Sequence, residues 1–351
     1  MTDIGLISVV TPVRNAERFV GRSIESVARQ SYVNWQLILV DDGSTDRSVE
    51  ICAERAAKDP RVRLIRLPDN RGPAAARNRA LEEAEGDFLC FLDADDALEP
   101  DALGRFAEEQ ARVQADLVIG GFRAVDESGA PRKVEAYLEQ SSVMGHREIL
   151  GYLERYVAKP NRNPMFSYVW GKLYRASIVR DRELRFNEQL RVFEDTDFNF
   201  RLLRHVQRCS YVHEQPYIYT SEYHSPTTTS IEFRHKMFDP MVALSSLGQL
   251  FLDEHPEKTV AEAVGHACVS LCIIQSVRLC GAMTASTRRE AREVLEAMVA
   301  DPLVRQCLPH YRPTAGDSHI VPLLIKLKLV SAMMLVCRRK AIKRYGKLWK
   351  T

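Results

Sequence analysis

Between Ile7 and Asp93 short β-rich runs alternate with stretches of helical period, and this alternation narrows the possible fold more than any other feature. "LISVVTP" predicts a strand. "AERFVGRSIESVARQ" places Phe19, Val20, Ile24, Val27 and Ala28 on one helical face, and "QLILVDD" is a second strand. A helix from about Asp46 to Ala57, a strand "VRLIRL", a helix over Pro73 to Ala84 and a strand "FLCFLD" follow. Four strands with three intervening helices predict a βαβαβαβ series: an α/β fold with a mostly parallel, Rossmann-like sheet flanked by helices and right-handed crossovers. At 351 residues, 45% hydrophobic and 27% charged, the chain can bury a sizeable core in one large domain, or in one domain with an appendage.

In such sheets ligands bind outside the carboxyl ends of the strands. Here those ends read "TPVRN", "VDDGSTD", "LPDNRG" and "LDADD". Asp93, Asp95 and Asp96 crowd behind an apolar run, and carboxylates so close need a cation, a capping role or solvent to be tolerable. Asp93 and Asp95, two apart, can offer one carboxylate to a ribose hydroxyl and the other to a divalent metal; hard oxygen ligands favour Mg²⁺ or Mn²⁺. The plainer alternative is that "DADD" caps a helix beginning near Glu99. In "VDDGSTD", Ser44, Thr45 and Asp46 read as turn and cap residues, whereas Asp41 has no such excuse. Arg77, one to two turns into the helix after "DNRG", can face a diphosphate or simply stand on a solvated face. Acids and an arginine on one sheet edge are more coherent as a nucleotide-diphosphate site than as separate coincidences.

Beyond the fourth strand, Leu117 to Gly121 predicts another, "RAVDESGAPRKVEAYLEQSS" a surface excursion, and His146 to Val157 a helix. An aromatic stretch "PMFSYVWGKLYRASIV" precedes an acidic helix start, "FEDTDFNFRLLRHV". From about Phe233 onward the pattern is helical, which sets a boundary near Glu232 between a catalytic domain (1–232, with a nucleotide-binding half 1–121 and an acceptor half 122–232) and a helical region (233–351). The eight cysteines form no CxxC pair and no zinc spacing, so reduced, buried thiols are expected. The N-terminus has neither a basic nor a long apolar leader segment, so no secretory signal is expected. A net charge of +2 implies no nucleic acid partner, but Arg338 to Lys350 carries seven basic residues and no acid.

"ISVVTPVRNAERFVGRSIESVARQSY", "LILVDDGSTDRS", "NRGPAAARNRAL", "GDFLCFLDADD", "WGKLYRASIV" and "FEDTDFNFRLL", in this order from Ile4 to Tyr219, resemble the family 2 glycosyltransferases of GT-A fold. The resemblance implies an inverting, nucleotide-sugar-dependent enzyme that builds a glycan or acts on a lipid-linked acceptor of a bacterial surface polysaccharide. It implies that Thr11 and Pro12 line the nucleotide base, that Asp41 accepts from uracil N3, and that Asn70 and Arg77 hold the base side and the diphosphate. Asp93 would meet the ribose and Asp95 the metal. Asp195 matches the catalytic base with Glu194 in support, Asp197 being the weaker base candidate, and Trp170 and Lys172 match positions near the sugar. Arg14 stands where many relatives carry an aromatic residue that stacks on uracil, and the phosphate-closing loop is poorly matched, with His224 and Ser225 its weak candidates.

Two other classes compete. A nucleotide-sugar pyrophosphorylase would open with a Gly-rich, Lys-bearing phosphate loop, which "TPVRN" is not. A catalytically silent binding module would tolerate loss of acids, yet every expected carboxylate is present. The tail "IVPLLIKLKLVSAMMLVCRRKAIKRYGKLWKT" reads as amphipathic helices on the anionic inner surface of the cell membrane, with Leu324, Leu327, Met334, Leu335, Tyr345 and Trp349 toward the interface. Alternatively Ile320 to Val336 is a core helix packed on the catalytic domain. Pro322, Lys326 and Lys328 argue against a spanning helix in what looks like the longest apolar stretch, so a cytoplasmic, peripheral protein is expected.

Overall fold

The computed structural model describes residues 2–159, 164–221, 232–314 and 317–345. The chain divides into two compact units. The first comprises Met1–Gly151, Pro164–Gln189 and Glu194–Ser225; the second comprises Tyr152–Asn163, Leu190–Phe193 and Pro226–Thr351.

The first unit opens with strands β1 (Ile7–Val13), β2 (Trp35–Asp41), β3 (Val62–Arg66) and β4 (Phe88–Phe91), linked by helices α1 (Val20–Ala28), α2 (Ser48–Ala56) and α3 (Pro73–Glu83). They pair in parallel in the order β3-β2-β1-β4, as the alternating pattern requires. Val9, Val10, Leu39, Val40, Cys90 and Phe91 are wholly buried, the continuous apolar run of strands covered on both faces. Helix α1 contributes Val20, Ile24 and Val27 to the core beneath them.

The sheet then changes character. It continues through β5 (Ala97–Leu98), helix α4 (Ala102–Val113), β6 (Leu117–Val125), β7 (Pro131–Glu135), β8 (Ser142–Gly145), helix α5 (His146–Ala158), β9 (Lys172–Arg175), helices α6 (Ala176–Asp181) and α7 (Glu194–Leu203), and β10 (Arg208–Thr220). Among the described residues this makes one ten-stranded sheet, with the path β3-β2-β1-β4-β9-β6-β10-β5. Parallel pairing extends to β6 with β10, but β9 runs antiparallel between β4 and β6, and β5, β7 and β8 also pair antiparallel. "Mostly parallel" therefore holds for the first four strands, and the second half is mixed. The expected surface excursion is partly strand: β6 reaches Val125 and β7 folds back on it, because the Asp126 carboxylate accepts from Ser128 N and Ala130 N and closes the turn.

The second unit is helical wherever it is described outside short links. Helices α8 (Phe233–Glu254), α9 (Val260–Ala282), α10 (Arg288–Ala300), α11 (Pro302–Cys307), α12 (Ile320–Lys326) and α13 (Val330–Tyr345) follow one another. The segment 190–193 joins this unit because the Asp239 carboxylate accepts from Arg191 N and Val192 N. Helix α9, opened by a Thr259–Glu262 capping box, is the apolar centre, with Val264, Ala267, Cys268 and Val269 fully buried. By length and composition α9 could cross a membrane, but 67% of its most apolar window is buried inside the protein, as in a core helix. It is α9, rather than the Ile320–Cys337 stretch, that carries this character. All eight cysteines are free and buried.

The tail has two faces. Val321, Ile325, Val330, Met333, Cys337 and Ala341 point inward, and α13 packs on α9. Met334 is buried with them, which corrects its expected place at an interface, whereas Leu327 and Leu335 are exposed and Leu324 is half-buried. The side chain of Tyr345, and Trp349 entirely, lie outside the described residues.

Candidate active site

The strand-end loops of the first unit are locked to one another by backbone hydrogen bonds to buried acids. At the end of β2, Asp41 and Asp42 are both nearly inaccessible. Asp41 accepts from Ser44 N at 3.2 Å, as in an Asx turn. Asp42 accepts from Arg71 N at 2.6 Å and Gly72 N at 2.9 Å, fastening the loop that opens α3. Gly43 has φ +69°, and a Cβ there would lie 2.9 Å from Asn70 N, so only glycine lets the two loops meet. Asp42 had no role assigned from the sequence; the doubled acid before a glycine was the signal.

Fastened in this way, α3 directs Arg77 inward. Its side chain is 4% exposed, so it does not stand on a solvated face. Nη2 donates to Asp93 Oδ1 at 2.9 Å, and Nη1 donates to Asp195 Oδ1 at 2.9 Å and to Glu194 Oε1 at 3.3 Å. The expected donor-side and acceptor-side acids are thus joined through one guanidinium. The physical reason is that three partly buried carboxylates held this close repel one another and need a cation among them. Below, the Arg77 guanidinium lies 5.4 Å from the Phe186 ring, itself stacked on Phe198 at 4.2 Å, and Asn78 fixes Phe186 by accepting from its N at 2.7 Å.

Asp195 stands in the first turn of α7, where the helix end favours negative charge. Its Oδ2 accepts from Val169 N at 3.2 Å. Burial raises its pKa above the ordinary carboxylate value, opposed by Arg77 and reinforced by Asp93. Burial, then the charge of Asp195, pushes Glu194 to about 7 against the pull of Arg77. Burial works against the charge of Arg77, but Asp195, Asp93 and Glu194 outweigh it and hold the guanidinium protonated. Asp197 is paired with Arg201 at 2.8 Å and is structural.

The "DADD" turn is clamped from the β10 side. Asp96 is buried and accepts from Tyr217 Oη at 2.6 Å and from Thr220 N at 2.7 Å, while Asp93 N donates to Tyr217 Oη at 3.2 Å. Burial, followed by the charges of Asp95 and Asp93, raises the Asp96 pKa well above normal. Arg22 donates to Asp95 O at 2.7 Å and to Thr220 Oγ1 at 2.5 Å. A register shift between Val212 and Tyr217 in β10 accompanies this placement of Tyr217. The turn is no simple helix cap: β5 intervenes before α4 begins at Ala102.

Asp93 and Asp95 keep partial exposure, whereas no group of three or more Asp, Glu, His or Cys side chains forms a closed cage among the described residues. That donor set fits a hard cation which takes one or two protein carboxylates and completes its shell from water and phosphate, the habit of Mg²⁺.

The other expected residues divide. Thr11 has no exposed surface and its hydroxyl no hydrogen-bond partner, leaving Pro12 as the accessible member of that pair. Asn70 is exposed at the loop beside Gly43, and Arg14 donates to Asp42 O at 2.9 Å. Lys172 is buried beneath the site, donating to Tyr168 O at 2.5 Å and Trp170 O at 3.3 Å; burial, opposed by Asp195, lowers its pKa to about 7. Trp170 is buried between aromatic rings. His224 and Ser225 lie outside the described residues.

Comparison with known proteins bears on family and fold. The uncharacterized glycosyltransferase EpsJ of Bacillus subtilis (strain 168) is 33% identical over 224 residues, 64% of this chain; the chain spans 63% of EpsJ's length. EpsH of the same organism is 30% identical over 258 residues, covering 71% of this chain and 70% of EpsH. In fold, the chain is similar to the crystal structure of S. aureus TarS 1-349 in complex with UDP-GlcNAc, with a TM-score of 0.69 at 18% identity over 97% of this chain and 91% of that one. Residues 8–182 match the family described as Glycosyl transferase family 2, and with the extent of the EpsH match they show that the chain belongs to that family.

Proposed function

We propose that the first unit transfers a sugar, with inversion at the anomeric carbon, from a nucleotide-diphosphate sugar to a hydroxyl of a glycan or lipid-linked acceptor in surface polysaccharide synthesis. The observation that carries this reading is the Arg77 bridge, which holds the strand-end Asp93 and the helix-start Asp195 one guanidinium apart. A single displacement needs one base beside the acceptor and a separate anchor for the donor. Asp195, raised in pKa by burial and fixed by Arg77 and Val169 N, is the base: Oδ1 or Oδ2 takes the acceptor hydroxyl proton. The acceptor oxygen bonds to the anomeric carbon as the bond to the diphosphate breaks, and the diphosphate leaves with the electron pair. Glu194, beside it and raised in pKa by burial and by the charge of Asp195, eases the crowding of negative charge when it holds a proton.

Asp93 would meet the ribose, and Asp95 would hold Mg²⁺ or Mn²⁺. When bound, that ion would neutralise charge on the leaving diphosphate. A preference for UDP rests on Asp41, which retains acceptor capacity after receiving Ser44 N, and is supported by the UDP-GlcNAc bound in the similar TarS fold. Incubating the protein with a panel of nucleotide sugars and lipid-linked acceptors tests the reading. Nucleotide diphosphate and a glycosylated acceptor are expected. Turnover that requires pyrophosphate or a nucleoside triphosphate would make the protein a pyrophosphorylase instead.

The proposal also places the protein on an anionic membrane surface. It is supported by the outward face of α12, α13 and their link, where Leu323, Leu327, Leu335 and Ile342 are exposed alongside Lys326, Lys328, Arg338, Arg339 and Lys343, with no acid from Ile320 to Tyr345. Apolar insertion rimmed by cations matches anionic headgroups.

A further inference from the structure

Next to Asp195 the first unit carries an aromatic array that the reaction as described does not use. The Trp170 ring lies parallel to three tyrosine rings: Tyr168 at 4.6 Å and 12°, Tyr217 at 4.7 Å and 14°, and Tyr219 at 5.8 Å and 19°. Tyr217 and Trp170 are buried, but Tyr168 remains 38% and Tyr219 37% exposed. Ring packing alone would favour closing these faces over, since each is a large apolar surface left in water. Both lie within the electrostatic reach of the site: burial and then the charges of Glu135 and Asp195 raise the pKa of the Tyr168 hydroxyl, and burial and then the charges of Asp96 and Asp95 raise that of Tyr219. The backbone places them there too, for Val169 N, which holds Asp195, sits between Tyr168 and Trp170 in the chain.

A pyranose has an apolar face of C–H bonds and a rim of hydroxyls. Its C–H face suits the electron-rich face of a rigid aromatic ring, and its rim suits a carboxylate close by. We infer that Tyr168 and Tyr219 form a stacking platform for a pyranose of the acceptor, which thereby presents its hydroxyl to Asp195. The inference rests on the glycosyltransferase reading for the identity of the ligand as acceptor. Because the rings are braced by their neighbours before any ligand arrives, little side-chain freedom is lost on binding.

The test is saturation-transfer NMR with methyl glycosides of glucose, galactose, GlcNAc and GalNAc, run in the presence of UDP and Mg²⁺, on wild type, Tyr168→Phe, Tyr168→Ala and Tyr219→Ala. At least one glycoside is expected to receive saturation at its ring C–H protons from wild type and from Tyr168→Phe. Each alanine variant should weaken that binding about two- to tenfold, the worth of one ring stack, while calorimetry finds UDP affinity unchanged. Equal saturation in the alanine variants, or none from wild type, would overturn the platform. Loss of UDP affinity with glycoside binding intact would assign the rings to the donor and likewise overturn it. Glycoside binding through Tyr168 in a protein that binds no UDP would uphold the platform and sink the UDP-donor reading of the proposed function.

Discussion

Replacing Arg77 by methionine keeps most of the side-chain volume and removes the cation that touches Asp93, Glu194 and Asp195. The guanidinium is buried and makes charged contacts at 2.9, 2.9 and 3.3 Å. Deleting one partner of a buried ion pair costs about 3–5 kcal/mol, because the remaining charge is left uncompensated. Against a domain stability of about 5–15 kcal/mol this is severe. For a unit of this size, at about 2–4 °C per kcal/mol, the melting temperature should drop by about 6–20 °C. The loss must also depend on pH. Glu194, at about 7, and Asp195 already titrate above their unfolded values, and without Arg77 both climb further. An acid whose folded pKa is raised contributes stability below its unfolded pKa and loses it as pH rises through the folded one. Wild type therefore sheds stability through Glu194 between about pH 4.5 and 7, and the variant sheds more, over a window that extends higher. Thermal unfolding followed by circular dichroism at about pH 5.5 and about pH 8 reads both effects. A drop under about 3 °C at the higher pH, or an equal drop at both, would refute the claim that Arg77 neutralises these carboxylates.

Asp195→Asn should lower transfer by at least about a thousandfold while UDP-sugar affinity, by calorimetry, stays within a few fold, since the base acts on the acceptor; lost donor binding would place Asp195 in the donor pocket instead. Glu194→Gln removes a negative charge beside Asp195, so the acid limb of the kcat/KM profile should move to lower pH; an unmoved limb would mean the two carboxyls are not coupled. Asp95→Ala should weaken Mn²⁺ binding, measured by electron paramagnetic resonance with UDP present, at least about tenfold, and unchanged binding would exclude Asp95 as a ligand. Leu327→Gln with Leu335→Gln alters exposed positions and should leave the melting temperature unchanged yet reduce co-sedimentation with phosphatidylserine vesicles. Equal pelleting, or pelleting insensitive to salt, would reject the membrane face.

The first four strands and three helices were legible because period 2 and period 3.6 are local signals, and the strand ends identified Asp41, Asp93 and Asp95 as neighbours on one edge. Strand direction is not a local signal, which is why the antiparallel β9 between β4 and β6 escaped. The same limit explains Arg77. Its partners Asp93 and Asp195 are 16 and 118 residues away, and no spacing rule connects the latter pair, so its bridging of the acids was not legible. Asp42, Asp96, Asn78 and Phe186 act on backbone or rings brought together only by the tertiary fold. Asp42 and Asp96 still left a trace as the second member of a doubled acid at a strand end. In the tail the sequence showed apolar and basic residues but not which apolar ones face inward, and Met334 was misplaced for that reason.

Whether the first unit cleaves a nucleotide sugar through these acids can be measured directly. Release of nucleotide diphosphate from each of a panel of nucleotide sugars, with Mg²⁺ or Mn²⁺ and an acceptor extract, should favour UDP-linked donors in wild type and fall to background in Asp195→Asn. Undiminished release by the Asp195→Asn protein, or no release from any nucleotide sugar by wild type, would contradict it.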